Sequence, residues 1–193
     1  MDEHLISQAI EYIRELFSGD AGGHDAGHSL RVYRLALRIA QGEPGADLTV
    51  VALAALLHDA DDHKLFRTEH NANARGFLAS HGLPPETIER ICRCINAVSF
   101  SQNRGKRPDS IEGKLVQDAD RLDALGAVGI ARTFAYGGAH ARTMESSVAH
   151  FHEKLLLLRD ELNTETAKRL AQPRHELLLR FLEEYEAETS ETA

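Results

Sequence analysis

The chain has 193 residues, 42% hydrophobic and 27% charged, with a formal net charge of −8. That length suits one domain around one core, and the composition is that of an ordinary globular protein. The negative field argues against a nucleic-acid polymer or an anionic membrane as partner, and no apolar run approaches the roughly 20 residues that cross a bilayer. The opening Met1-Asp2-Glu3-His4 has neither the basic flank nor the apolar stretch of a secretory signal, so a cytoplasmic location is expected.

In chain order, the pattern predicts a series of helices. Leu5, Ile6, Ala9, Ile13 and Leu16/Phe17 recur at helical spacing over 3–17, and Gly19 to Gly23 end that segment. A second helix over about 26–41 stops at Gly42-Glu43-Pro44-Gly45. Asp47 is placed to cap a third over 48–59, which is apolar almost all round and therefore expected to be buried. Further helices are expected over 69–81, ending at Gly82, and over 85–98, opened by Pro84-Pro85. A polar loop over 99–109 follows. Periodicity then runs from Ile111 to about Ala135, where Gly137-Gly138 break it. Phe151, Leu155, Leu158 and Leu162 share a face over about 145–162, a stripe that serves a core or a dimer equally. Thr164 is placed to cap the last helix, Pro173 to kink or split it, and the acidic tail 186–193 to fray. No two-residue alternation is long enough for a sheet, and the expected architecture is all-α, one helical domain with a core over about 5–185.

Eleven histidines direct attention to a metal, and Cys92 and Cys94 do not supply thiolates for it. Two residues apart on a helix, the cysteines point about 200° apart and read as reduced and structural. The adjacent pair His58-Asp59 closes a buried helix, where ionised groups are costly unless paired or metal-bound. His28 lies one helix earlier. Asp120 lies in Gln117-Asp118-Ala119-Asp120-Arg121-Leu122-Asp123, with Asp118 and Asp123 as competing ligands. Two imidazoles and two carboxylates form a mixed nitrogen–oxygen site suited to a divalent ion such as Mn²⁺, Fe²⁺, Ni²⁺, Zn²⁺ or Mg²⁺. Two carboxylates neutralise such an ion, so an anionic substrate would also need basic residues. Arg31, at i+3 from His28, emerges on the same face, and Arg121 follows Asp120.

Three blocks occur in order: His24-Asp25-Ala26-Gly27-His28-Ser29-Leu30-Arg31-Val32; Leu56-Leu57-His58-Asp59-Ala60-Asp61-Asp62-His63-Lys64; and Glu112 through Gly138 around Asp118-Ala119-Asp120-Arg121-Leu122-Asp123. This spaced His…His-Asp…Asp text resembles the HD superfamily of metal-dependent phosphohydrolases, and in particular its single-domain bacterial members, over roughly 5–185. The resemblance implies an all-α fold and hydrolysis of phosphate esters or anhydrides. It implies His28, His58, Asp59 and Asp120 as metal ligands, Asp120 being the first aspartate of a D-x-x-D pattern. It places Asp62 and Lys64 in catalytic positions, Asp62 to orient the attacking water or take its proton and Lys64 to stabilise charge on phosphate. Arg31 and Arg121 are expected on substrate, with His24 as a substrate contact or a support to the ligands. The spacing His24-x-x-x-His28 does not make a zinc-protease helix: that motif needs Glu where Asp25 stands, and Gly22, Gly23 and Gly27 weaken a helix there.

The expected activity is a nucleoside triphosphate pyrophosphohydrolase with a divalent ion, manganese foremost and Fe, Ni, Mg or Zn as alternatives. A nucleoside monophosphate phosphatase is the nearest rival. A di-iron oxygenase and a non-catalytic nucleotide-binding sensor are rivals of other classes. The expected partner in each phosphate-dependent case is a small phosphorylated molecule.

Overall fold

The computed structural model describes residues 2–18, 26–63 and 65–190. Among them the secondary structure is helical throughout: α1 (Glu3–Leu16), α2 (Ala26–Ala40), α3 (Leu48–Leu57), α4 (Ala72–Ser80), α5 (Pro85–Asn96), α6 (Phe100–Asn103), α7 (Ile111–Asp123), α8 (Gly126–Ala139), α9 (Met144–Glu153), a 3-10 helix (Leu155–Glu161) and α10 (Glu165–Thr189). The expected all-α architecture is therefore what the chain forms. No helix among the described residues is long and apolar enough to cross a membrane.

Side-chain caps fix five of the helix starts. Asp2 accepts from the amides of His4 and Leu5, and Asp47 from those of Thr49 and Val50. Ser110, Thr143 and Thr164 do the same for α7, α9 and α10. Each such bond satisfies an amide that the first helical turn leaves without a partner. The centre of the fold is α3, where every residue from Val50 to Leu57 is buried. Helices α1, α2, α5 and α7 pack around it, and α2 packs extensively on both α3 and α7. The buried apolar side chains form one continuous cluster from Leu5 in α1 to Leu182 in α10. This arrangement brings one face of α2, the end of α3 and the end of α7 together.

Several segments depart from the periodic reading. The stretch from Ile111 to Ala135 is two helices, because the chain turns at Leu125-Gly126. Gly126 has φ +73°, a backbone that L side chains avoid. Gly137 and Gly138 lie inside α8 instead of ending it. A Cβ on Gly137 would lie 2.4 Å from Ser147 Oγ, so its bareness lets α8 and α9 approach. The stretch 145–162 is α9 followed by the 3-10 helix. Helix α4 begins at Ala72 instead of 69, because His70 and Asn71 are both left-handed, at φ 56° and 58°. Pro173 does not split α10; it and Arg169, whose carbonyl loses the usual donor, are both exposed. The acidic tail continues the helix to Thr189. A short helix, α6, interrupts the polar loop after α5. The stop at Gly19–Gly23 lies outside the described residues.

Candidate metal centre and its cavity

His58 is the C-cap of the buried helix α3, and its Nδ1 lies 2.9 Å from the carbonyl of Ala55. A carbonyl only accepts, so this nitrogen carries the proton and donates. The bond also satisfies one of the carbonyls left open at a helix end. His28, on α2, places Nδ1 2.8 Å from Oδ2 of Asp123 on α7. Burial opposes ionisation of Asp123, but the His28 N–H, Arg31 and Arg132 outweigh it and hold this carboxyl well below the usual range. An ionised carboxylate accepts, so His28 also donates from Nδ1.

Both rings therefore turn Nε2 towards the same point, 3.1 Å apart. Asp59 lies 3.4 Å from each Nε2, and Asp120 Oδ1 lies 3.3 Å from that of His28 and 3.8 Å from that of His58. Two imidazole lone pairs facing one another at 3.1 Å need a cation between or beside them. Donors about 2.1 Å from a common ion stand about 3.0–3.4 Å apart along a coordination edge. His28, His58 and Asp120, with donor atoms all within 4.8 Å of one another and Asp59 adjoining both imidazoles, thus fit a divalent ion of the nitrogen–oxygen class. Without one, a proton takes its place. Burial alone would lower the pKa of His28, but hydrogen bonds to Asp120 and Asp123 and the charge of Asp59 raise it to about 9. The histidine side chains are 3% and 2% exposed, and those of Asp59 and Asp120 are 16% and 25%, so the carboxylates form the open side.

That side opens into a cavity of about 520 Å³ between α5–α6 and α8–α9. Asp62 lines it, with Oδ1 3.5 Å from His63 Nδ1. Neighbouring Asp61 is occupied structurally, accepting from the amides of Asn73 and Ala74 at the start of α4. The cavity lining also carries Arg132, Arg142, His150 and Lys154. Two rings complete it: Arg142 lies over Tyr136 at 5.1 Å, and Lys154 over Phe100 at 5.4 Å.

The structure brings His28, His58, Asp59 and Asp120 together as the pattern predicts, and puts Asp62 beside them. It separates the two competing aspartates. Asp118 is turned away, accepting from Asn163 and Thr164, and Asp123 stands behind His28. The two arginines expected on substrate are each held by a protein carboxylate, Arg121 while also lining the cavity. Arg31 is bound to Asp123, at 2.8 Å through Nε and 3.1 Å through Nη2, because i+3 from His28 puts it over the same carboxylate. Arg121, its side chain 1% exposed, donates to the carbonyl and carboxylate of Glu161. His24 and Lys64 lie outside the described residues. Sequence reasoning misses Arg132, Arg142, His150 and Lys154. The i, i+4 spacing of His150 and Lys154 is the available signal. Tyr136 also lines the cavity.

Residues 25–125 match the family model described as HD domain. The chain is 42% identical over 188 residues to YpgQ of Bacillus subtilis, covering 93% of this chain and 91% of that protein. It superimposes on the crystal structure of YpgQ in complex with ADP with a TM-score of 0.80 at 36% identity, over 96% of this chain and 98% of the other. A crystal structure of an HD-superfamily hydrolase from Bacillus thuringiensis matches with a TM-score of 0.79 at 37% identity, over 97% and 98% of the two chains. With its paired histidines and aspartates on the same helices that carry the match, the chain belongs to the HD domain family.

Proposed function

We propose that the chain is a metal-dependent phosphohydrolase that converts a nucleoside triphosphate to the monophosphate and pyrophosphate. The observation that carries this reading is that one cavity is lined both by donors suited to a divalent ion and by basic side chains. His28, His58 and Asp120, with Asp59 beside the two imidazoles, share the cavity lining with Arg132, Arg142, His150 and Lys154. A bound divalent ion, manganese foremost, supplies Lewis-acid polarisation of a phosphoryl oxygen and makes water more acidic. His28, His58, Asp59 and Asp120 hold that ion. The wall cations take the phosphate charge that two ligand carboxylates leave uncompensated, the role that the sequence pattern gives to Arg31 and Arg121. Asp62 orients the attacking water and takes its proton. Lys64 acts on phosphate and His24 on substrate. Phe100 and Tyr136 offer flat apolar faces for a base. The YpgQ structure with ADP supports a nucleotide as the substrate class.

Product identification tests this. The purified chain with Mn²⁺ is expected to release monophosphate and pyrophosphate from nucleoside or deoxynucleoside triphosphates. Inorganic phosphate from monophosphates would replace the reading with a nucleotidase. Two irons per chain would replace it with the oxygenase. Tight nucleotide binding without turnover would replace it with a sensor.

A further inference from the structure

Asp123 is 2% exposed and serves three partners with two oxygens. Oδ2 accepts from His28 Nδ1 at 2.8 Å, from Arg132 Nη1 at 2.7 Å and from Arg31 Nη2 at 3.1 Å, and Oδ1 accepts from Arg31 Nε at 2.8 Å. The same oxygen is thus shared between a metal ligand and an arginine of the cavity wall. A carboxylate behind an imidazole N–H fixes the ring and makes its far nitrogen a stronger donor to a metal. A guanidinium on that oxygen draws charge away from the imidazole, since charge-assisted bonds to one acceptor compete.

We infer that Asp123 is a positioning residue through which Arg132 and Arg31 restrain the hold of His28 on the metal. Resting on the metal reading above, this couples the two halves of the cavity. A phosphate that engages Arg132 competes with Asp123 for the guanidinium and returns carboxylate charge to His28. Metal and phosphate then strengthen each other's binding by the same factor.

The test is the dissociation constant for Mn²⁺, titrated on the full chain without nucleotide. Asp123→Asn is expected to weaken binding about tenfold or more. Arg132→Ala and Arg31→Ala are expected to tighten it severalfold, an opposite sign that a merely structural cluster would not produce. Arg142→Ala removes a wall cation that stacks on Tyr136, and is expected to leave the constant unchanged. Weaker binding by both arginine variants would overturn the inference. So would equal tightening by Arg142→Ala, which would reduce the effect to charge acting through space. Should Asp123→Asn fail to fold, the arginine variants decide alone. A native chain that binds no Mn²⁺ would remove the metal reading itself, an outcome distinct from native binding with the wrong order of variants.

Discussion

His28 holds the proton that a metal must displace. Its pKa is about 9 in the metal-free chain, above the ordinary 6.5, because Asp120, Asp123 and Asp59 outweigh the effect of burial. A raised folded-state pKa gives stability that is fully present below about 6.5 and lost as pH rises through about 9. Metal binding runs the other way. Apparent affinity for Mn²⁺ is expected to rise about tenfold per pH unit up to about 9 and then flatten, because one proton leaves as the ion enters. Titrations at several pH values check this, and a flat profile would mean that His28 is already neutral. His58 and Asp59 are legible in the chain because a His-Asp pair at the end of an apolar helix is costly unless a partner or a metal holds it, and His28 and Asp120 through the resemblance of their blocks to the HD family. The partners of Arg31 and Arg121 are not. Whether an arginine reaches a substrate or a buried carboxylate depends on which helix lies opposite, and periodicity within one helix does not report that.

At the scale of elements, α7 does more than deliver Asp120. Asp118 accepts from the amide and side chain of Asn163, both at 2.8 Å, and from the amide and hydroxyl of Thr164 at 2.8 and 2.7 Å. Three residues on, Arg121 grips Glu161. Together they clamp the junction between the 3-10 helix and α10, and so set the wall that carries Lys154, Leu155 and Leu158. Asp118→Ala would leave several buried donors without partners, at a cost of about 3 kcal/mol or more. For a chain of this size that is a fall in Tm of about 6–12 °C. Thermal denaturation checks the loss, and kinetics are expected to show KM rising while Mn²⁺ affinity holds, since no metal ligand moves. The helices with capping side chains are readable to within a few residues. The splits at Leu125-Gly126 and after Glu153 are not, because apolar spacing runs on through both and only packing decides where the helix gives way.

At the scale of the molecule, a divalent ion held at the candidate site of His28, His58 and Asp120 would cross-link α2, the end of α3 and α7. A metal that binds only the folded chain stabilises it by about 2.7 kcal/mol at a hundred times its dissociation constant, a rise in Tm of about 5–10 °C. Thermal melts with and without Mn²⁺ are expected to show this rise, chelator to reverse it, and Asp120→Ala to abolish it. An unchanged Tm on saturation would argue that the site is not formed in the folded chain. The net charge of −8 disfavours anions at long range, yet Arg132, Arg142 and Lys154 place cationic groups on the lining of the cavity. Global charge is a sum over the surface, whereas a substrate meets the few groups within a Debye length.

The sequence by itself determined the helical class, the burial of α3 and the four candidate ligands. The first two follow from local facts, spacing along one helix and a capping side chain, whereas the ligand set follows from the resemblance of the three ordered blocks to the HD family. Only the tertiary structure decided that Asp123 stands behind His28 instead of beside the ion, and that the wall cations come from α8, α9 and the turns that bound them. Those outcomes depend on which faces of separate helices meet, and long-range packing around α3 settles that where local spacing cannot.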